Sequence, residues 1–268
     1  MSAGPLDHGS LRARIQAGET TVGTFVGLGS QTAAEVCAAS GADWILVDLE
    51  HGAGSEETVG PAVLAAGAYG VPTLVRVETD DRIRVGRVLD QGAAGIMLPR
   101  LQGHREVAEA LSHLHYPPHG DRGVATYNRS CRWGMDASPL SSTEQRSLGI
   151  VQIENRSALD EVEQIAALDA ADVLFVGPLD LSTALGVPWM FDSPEYRAAL
   201  HRVLEAAERH GKAAGILALD APAAARYIAE GFRFVAIGSD STVLAAALRS
   251  SFDLARTTAF TETRKATA

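Results

Sequence analysis

The chain has 268 residues, 46% hydrophobic and 21% charged, which suits one globular domain with a sizeable core and excludes a disordered polyampholyte. A formal net charge of −10 argues against nucleic acid or an anionic membrane as partner, because both demand a basic face; a small anionic substrate needs only one or two local cations. No stretch approaches the ~20 continuous apolar residues of a membrane span, and Cys37 and Cys131 lie far apart without the spacing of a zinc site, so a reduced, cytoplasmic protein is expected.

In chain order, residues 1–20 give a lead-in helix, and short β-branched runs then alternate with alanine-rich helical stretches. Strands are expected at 22–28, 44–48, 72–77, 94–98, 149–154, 172–176, 213–218 and 233–237. Helices are expected near 31–40, 55–69, 81–91, 103–114, 156–168, 193–210, 221–230 and 240–256, followed by a polar tail over 257–268. Eight strands, each followed by a helix, predict an α/β fold, a parallel sheet covered on both faces. Eight is also the number that closes into a (β/α)8 barrel, for which ~250 residues is typical, so residues 1–268 are read as one barrel domain. Gly41, Gly92 and Gly231 stand where helices should end before strands. The interval 115–146 is too long for a tight connector, and its Tyr127, Arg129, Arg132 and Trp133 predict an ordered lid or wall.

In such barrels chemistry sits at the carboxyl ends of the strands. Strand two ends in Asp48-Leu49-Glu50-His51-Gly52, strand three in Arg76, strand five in Gln152-Ile153-Glu154, and strand six runs into Gly177-Pro178-Leu179-Asp180. Strand side chains alternate, so Gln152 shares a face with Glu154 and Asp48 with Glu50, while Val151 and Ile153 face the helices. Each residue has a plainer role available: an acid can cap a helix, an arginine can pair with a carboxylate, and a histidine can stabilise a turn. Their coincidence at one rim favours chemistry. Crowded carboxylates repel one another, and a divalent cation would relieve them. Glu154 and Asp180 offer hard oxygen ligands without His or Cys, a set suited to Mg²⁺, Mn²⁺ or Co²⁺, with positions open for a chelating 2-oxo acid. The helix opened by Pro178-Leu179-Asp180 presents free N–H groups to a carboxylate. Arg76 is the cation for a developing enolate oxygen, and His51 the proton carrier. His113, His115 and His119 look like a metal cluster, but Pro117-Pro118 interrupts them and no carboxylate completes the set.

The segments WILVDLEHG, TLVRV, LDQGAAGIMLPR, YPPHGDRGV, VQIEN and FVGPLDLSTALG resemble, in order from about residue 20 to 245, those of the HpcH/HpaI aldolases, metal-dependent class II pyruvate aldolases. The resemblance implies a barrel of the phosphoenolpyruvate/pyruvate type whose last helix is exchanged between subunits, commonly in a hexamer built as a trimer of dimers. It implies reversible cleavage of 4-hydroxy-2-oxo acids to pyruvate (or hydroxypyruvate) and an aldehyde. It assigns the metal to Glu154 and Asp180 with Gln152 nearby, pyruvyl contact to Arg76 and acid–base work to His51. It adds Asp90 as support for the histidine, and Phe25 and Leu217 as pocket walls, which the residues alone do not suggest. Leu179 departs from the alanine common in the family and would narrow or reshape the pocket.

Three other readings compete. Gly27-Leu28-Gly29 with Asp48 about twenty residues on resembles a dinucleotide fingerprint for an NAD-dependent oxidoreductase, but Thr32 replaces its third glycine and Glu154, Asp180 and His51 are left idle. A non-catalytic barrel leaves the whole polar set unexplained. An oxaloacetate decarboxylase would use the same site. A Schiff-base aldolase lacks its lysine, since Lys212 precedes strand seven rather than ending one.

Overall fold

The computed structural model describes residues 9–141 and 147–266, and in it the β-branched runs form β1 (Thr21–Val26), β2 (Trp44–Asp48), β3 (Thr73–Arg76), β4 (Gly95–Leu98), β5 (Leu148–Ile153), β6 (Val173–Val176), β7 (Ala213–Ala218) and β8 (Phe234–Ser239). All eight pair in parallel with their sequence neighbours. The sheet closes where β8 joins β1, with Thr21 opposite Phe234 and Val22 opposite Val235. The expected (β/α)8 barrel is therefore present, with strand bounds within two residues of those read from the sequence.

Alternation divides the core into two layers. Phe25, Leu46, Leu74, Met97, Ile150, Phe175 and Phe234 fill the barrel, whereas Val26, Ile45, Val47, Val75, Val151 and Ile153 face the outer helices. Val151 and Ile153 thus point as expected. A short helix, α1 (Gly9–Gln16), carries Leu11 and Ile15 into the inner layer beside Trp44, whose ring stacks on Phe234 at 4.1 Å. These residues stand at strand starts, so α1 closes the amino-terminal end and leaves the opposite rim for function.

The outer helices are α2 (Gln31–Ala39), α3 (Glu56–Gly67), α4 (Arg82–Asp90) and α5 (His104–Ser112), and after β5 the pair α7 (Arg156–Asp160) and α8 (Val162–Ala166). A four-residue turn, α6 (Ser138–Ser141), lies in the β4–β5 connection. Beyond β6 come α9 (Pro178–Ala184) and α10 (Pro194–Arg209), then α11 (Ala221–Glu230) and α12 (Asp240–Ala266). Gly41, Gly92 and Gly231 take φ of 93°, 99° and 115°, the left-handed turn that ends a helix at least cost in glycine.

Three expectations are corrected. The helix read over 156–168 is broken at Glu161, whose carboxylate turns away to accept the His104 N–H at 2.8 Å. α12 runs to Ala266, so most of the polar tail expected over 257–268 is helical, and 267–268 lie outside the described residues. Of the lead-in helix read over 1–20, Gly9–Gln16 is present and 1–8 lie outside them. The long interval is ordered as far as it is described, 142–146 lying outside. Cys131 is buried in a 3-10 turn, and the Arg129 guanidinium sits 5.0 Å from the centre of the Trp133 ring. It forms a wall against α4: Arg122, stacked on Tyr116 at 4.5 Å, reaches Asp90 at 2.6 Å.

Candidate active site at the carboxyl rim

Asp48 and Arg76 end adjacent strands and stand opposite each other in the ladder. The register delivers a two-pronged contact, Arg76 Nε to Asp48 Oδ1 at 2.8 Å and Nη2 to Oδ2 at 2.6 Å. Nη1 lies 3.1 Å from Glu50 Oε2, and the guanidinium stands 5.1 Å from the centre of the Phe25 ring. Both ends of the pair are buried. Burial alone would raise the Asp48 carboxyl, but the hydrogen bonds and charge of Arg76 outweigh it and hold the group below the usual range. These contacts use only part of the guanidinium's fork of donors, so a fixed cation remains available at the rim.

Asp48 also shapes the turn that carries the histidine. Its Oδ1 accepts the N–H groups of Glu50 at 3.0 Å and His51 at 3.3 Å. The histidine side chain is 67% exposed, with Nε2 3.9 Å from Glu50 Oε2. Beneath it, the Gly27-Leu28-Gly29 segment packs backbone to backbone on Gly52-Ala53-Gly54, and the Ala53 N–H bonds the Gly27 carbonyl at 2.8 Å. A Cβ on Gly52 would stand 2.2 Å from the Asp48 carbonyl, and one on Gly29 2.8 Å from the Gly54 nitrogen. The glycines that resembled a dinucleotide fingerprint therefore serve this close approach.

Glu154 follows β5 and is buried. Its Oε1 accepts the Arg100 N–H at 2.7 Å and its Oε2 accepts Gln152 Nε2 at 2.7 Å. Burial is the main reason its pKa is pushed up to about 7; the Arg100 bond opposes the shift, and the charges of Asp180 and Glu50 add to it. Asp180, in the first turn of α9, is exposed and close enough to act on Glu154 through its charge. A Cβ on Gly177 would meet Glu154 Oε2 at 2.8 Å, so glycine there leaves room for the carboxylate.

The rim thus crowds Asp48, Glu50 and Glu154 around one guanidinium, with Asp180 beside Glu154. Among the described residues no three His, Cys, Asp or Glu side chains could hold a metal unaided. The donor set still fits a divalent ion bound by two carboxylates together with water or substrate: Glu154 is pushed towards neutrality by its burial and, less strongly, by the charges of Asp180 and Glu50, and the buried Gln152 Oε1 has no hydrogen-bond partner among the described residues.

The remaining expected residues divide. Phe25 is buried against Arg76, Leu217 is half-buried over the inner core, and Leu179 is exposed beside Asp180. Asp90 is not brought to His51 by any hydrogen bond among the described residues; at the end of α4 it accepts from Arg122 instead. The sequence placed Asp48 and Glu50 at the rim without a role, and their role is to clamp Arg76. The signal available was the Asp-x-Glu alternation, which puts both acids on one face beside the strand-three arginine. His113, His115 and His119 form no metal site among the described residues; the His113 ring bonds the Asp80 carbonyl, and His115 is buried.

Comparison with known proteins agrees with this geometry. The family model described as HpcH/HpaI aldolase/citrate lyase matches residues 21–247. A pyruvate aldolase of Rhizobium etli is 36% identical over 241 residues, covering 90% of this chain and 94% of that protein. A 4-hydroxy-2-oxo-heptane-1,7-dioate aldolase of Escherichia coli is 35% identical over 239 residues, covering 89% and 91%. Among solved structures, an HpcH/HpaI aldolase/citrate lyase family protein from Burkholderia cenocepacia J2315 superposes with a TM-score of 0.88 at 35% identity, covering 92% of this chain and 99% of that one.

Proposed function

The chain belongs to the HpcH/HpaI aldolase/citrate lyase family and is a carbon–carbon lyase of the pyruvate aldolase class; on that premise we propose that the rim just described performs its chemistry. The substrates are 4-hydroxy-2-oxo acids, cleaved reversibly to pyruvate or hydroxypyruvate and an aldehyde. Glu154 and Asp180 are the protein ligands of a divalent cation, Mg²⁺, Mn²⁺ or Co²⁺. When bound, that ion supplies Lewis-acid polarisation of the 2-oxo group.

Every other part falls to the chain's own groups. Arg76, held rigid by Asp48 and Glu50, directs its remaining donors to the oxygen that gains charge as the bond breaks. Gln152 orients Glu154, and the N–H groups at the start of α9, at Leu179 and Asp180, receive the substrate carboxylate. His51, on the Asp48 turn and open to solvent, takes the proton of the C4 hydroxyl and returns it in the reverse direction. Phe25 and Leu217 wall the pocket, and Leu179 narrows it. Asp90, held in this chain by Arg122, supports the histidine.

The observation that carries the reading is one rim in which a locked guanidinium faces a buried carboxylate pushed up to about 7. The test is cleavage of a 4-hydroxy-2-oxo acid before and after EDTA, with Mn²⁺ added back. Activity should vanish and return, and Glu154→Gln should lose Mn²⁺ binding while keeping its fold. His51→Ala should keep Mn²⁺ and pyruvate binding and lose roughly 10²–10⁴-fold in turnover. Full activity of the metal-free enzyme would sink the mechanism.

The assembly belongs to the same proposal. Residues 242–257 of α12 are all exposed in the single chain, including Val243, Leu244, Leu248, Phe252 and Leu254. A helix with that apolar face needs a cover, and exchange of α12 with a second copy, within a trimer of dimers, supplies one. No described helix is long and apolar enough to cross a membrane, and a cytoplasmic site of action is proposed with the rest.

A further inference from the structure

We propose that Arg156 is a positioning residue that fixes Asp180 relative to Glu154 by holding the far end of α9; this rests on reading those two carboxylates as the metal's ligands. α9 has seven residues and is about 10 Å long, so any tilt at its end is felt at Asp180 in its first turn. Gly177, at its N-cap, has no side chain to fix that turn. At the other end, the carbonyls of Leu181, Ser182 and Thr183 are taken by the N–H groups of Leu185, Val187 and Gly186. The carbonyls of Ala184 and Leu185 are taken by Arg156, through Nε at 2.8 Å and Nη2 at 3.1 Å. A forked cation at a helix C-terminus both satisfies orphan carbonyls and opposes the negative end of the helix dipole.

Arg156 stands two residues after Glu154, and its neighbours tie the same turn to the β4 connection. Asn155 Nδ2 donates to the Leu101 carbonyl at 2.9 Å, and Ser157 Oγ donates to the Gln102 carbonyl. That connection holds Arg100 at φ 63°, a costly conformation for a residue with a Cβ, and so aims its N–H at Glu154 Oε1. One turn after β5 therefore sets both carboxylates, Glu154 through the β4 connection and Asp180 through α9.

The experiment is a titration of the full chain with Mn²⁺, reading free Mn²⁺ by electron paramagnetic resonance, alongside hydrogen exchange of peptides spanning 178–187. Arg156→Ala should bind Mn²⁺ about 10-fold more weakly, the lower end of what supporting residues of metal sites contribute, and its α9 amides should exchange faster. Arg156→Lys, with a single point donor, should recover part of both. Arg202→Ala, which removes a similar contact from α10 to the Leu159 carbonyl of α7, should change neither. An equal loss in Arg202→Ala would mean general loosening and overturn the inference. So would wild-type Mn²⁺ affinity in Arg156→Ala while Glu154→Gln loses binding, and the ligand assignment would then survive. If Glu154→Gln itself binds Mn²⁺ like the wild type, the ligand reading fails and the positioning role fails with it.

Discussion

Two buried carboxylates of this rim are driven in opposite directions. Asp48 receives four N–H groups, from Arg76 Nε and Nη2 and the backbones of Glu50 and His51, and is held below the usual carboxylate range. Glu154 receives two and faces Asp180 and Glu50, so burial wins and it is pushed up to about 7. Asp48 is thus a structural anion that places a cation and a histidine, whereas Glu154 is an acid in want of a counter-charge. Asp48→Asn tests the first half. It keeps the shape, removes the charge and leaves the buried guanidinium with Glu50 alone; breaking a buried pair in this way costs roughly 3 kcal/mol or more. Urea unfolding should show that loss, and kcat should fall more than KM rises because Arg76 and His51 are both misplaced. Stability within about 0.5 kcal/mol of wild type, inside the range of ordinary surface substitutions, would show that Glu50 holds Arg76 without help.

At the level of elements, the eight strands were legible because runs such as WILVD and VLFV are short and rich in β-branched and aromatic residues, VLFV being closed by Gly177-Pro178. What escaped the sequence depends on partners far along the chain. The break falls at Glu161, whose carboxylate meets His104, 57 residues earlier. The bonds of Arg156 to α9 and of Arg122 to Asp90 span 28 and 32 residues and leave no local pattern. The site divides in the same way. Arg76, Glu154 and His51 could be picked out because strand ends are where a barrel places chemistry, whereas the clamp by Asp48 required the register. The β4–β5 connection carries its own titratable element. His115 is buried, its Nε2 has no hydrogen-bond partner among the described residues, and burial together with Arg12, Arg122 and His119 lowers its pKa to about 4. The folded state therefore resists protonation, so this contribution to stability is complete above the unfolded value of about 6.5. It is lost as pH falls from there towards 4, by up to about 3 kcal/mol. His115→Gln removes the titration, so the stability difference between wild type and variant should shrink on moving from pH 7 to 4.5. A difference that stays constant would mean that His115 titrates like a free histidine.

For the whole molecule, the question is what covers α12. The barrel is complete without it: β8 closes on β1, and the helix is anchored near its first turn, where Asp240 accepts the Gly27 and Leu28 N–H groups at 2.9 and 3.2 Å. Val243, Leu244, Leu248, Phe252 and Leu254 are 44–69% exposed along a 27-residue helix about 40 Å long. Fully burying such side chains is worth roughly 1.5–3 kcal/mol each, and a reciprocal exchange buries two helices at once. The sum reaches the order of 10 kcal/mol, comparable with the roughly 4–15 kcal/mol that association costs, so these side chains offset that cost and the other contacts of the exchanged helix set the affinity. Truncation after Gly238 should give dissociated or insoluble protein, whereas removing the chain from Thr261 should do neither. Leu248→Asp is the sharper probe. That side chain is exposed in its own chain, so the barrel should keep its circular dichroism and bind Mn²⁺ while sedimentation velocity shows smaller species. An intact chain that sediments as a fully active monomer at micromolar concentration would refute the exchange and leave the rim chemistry standing.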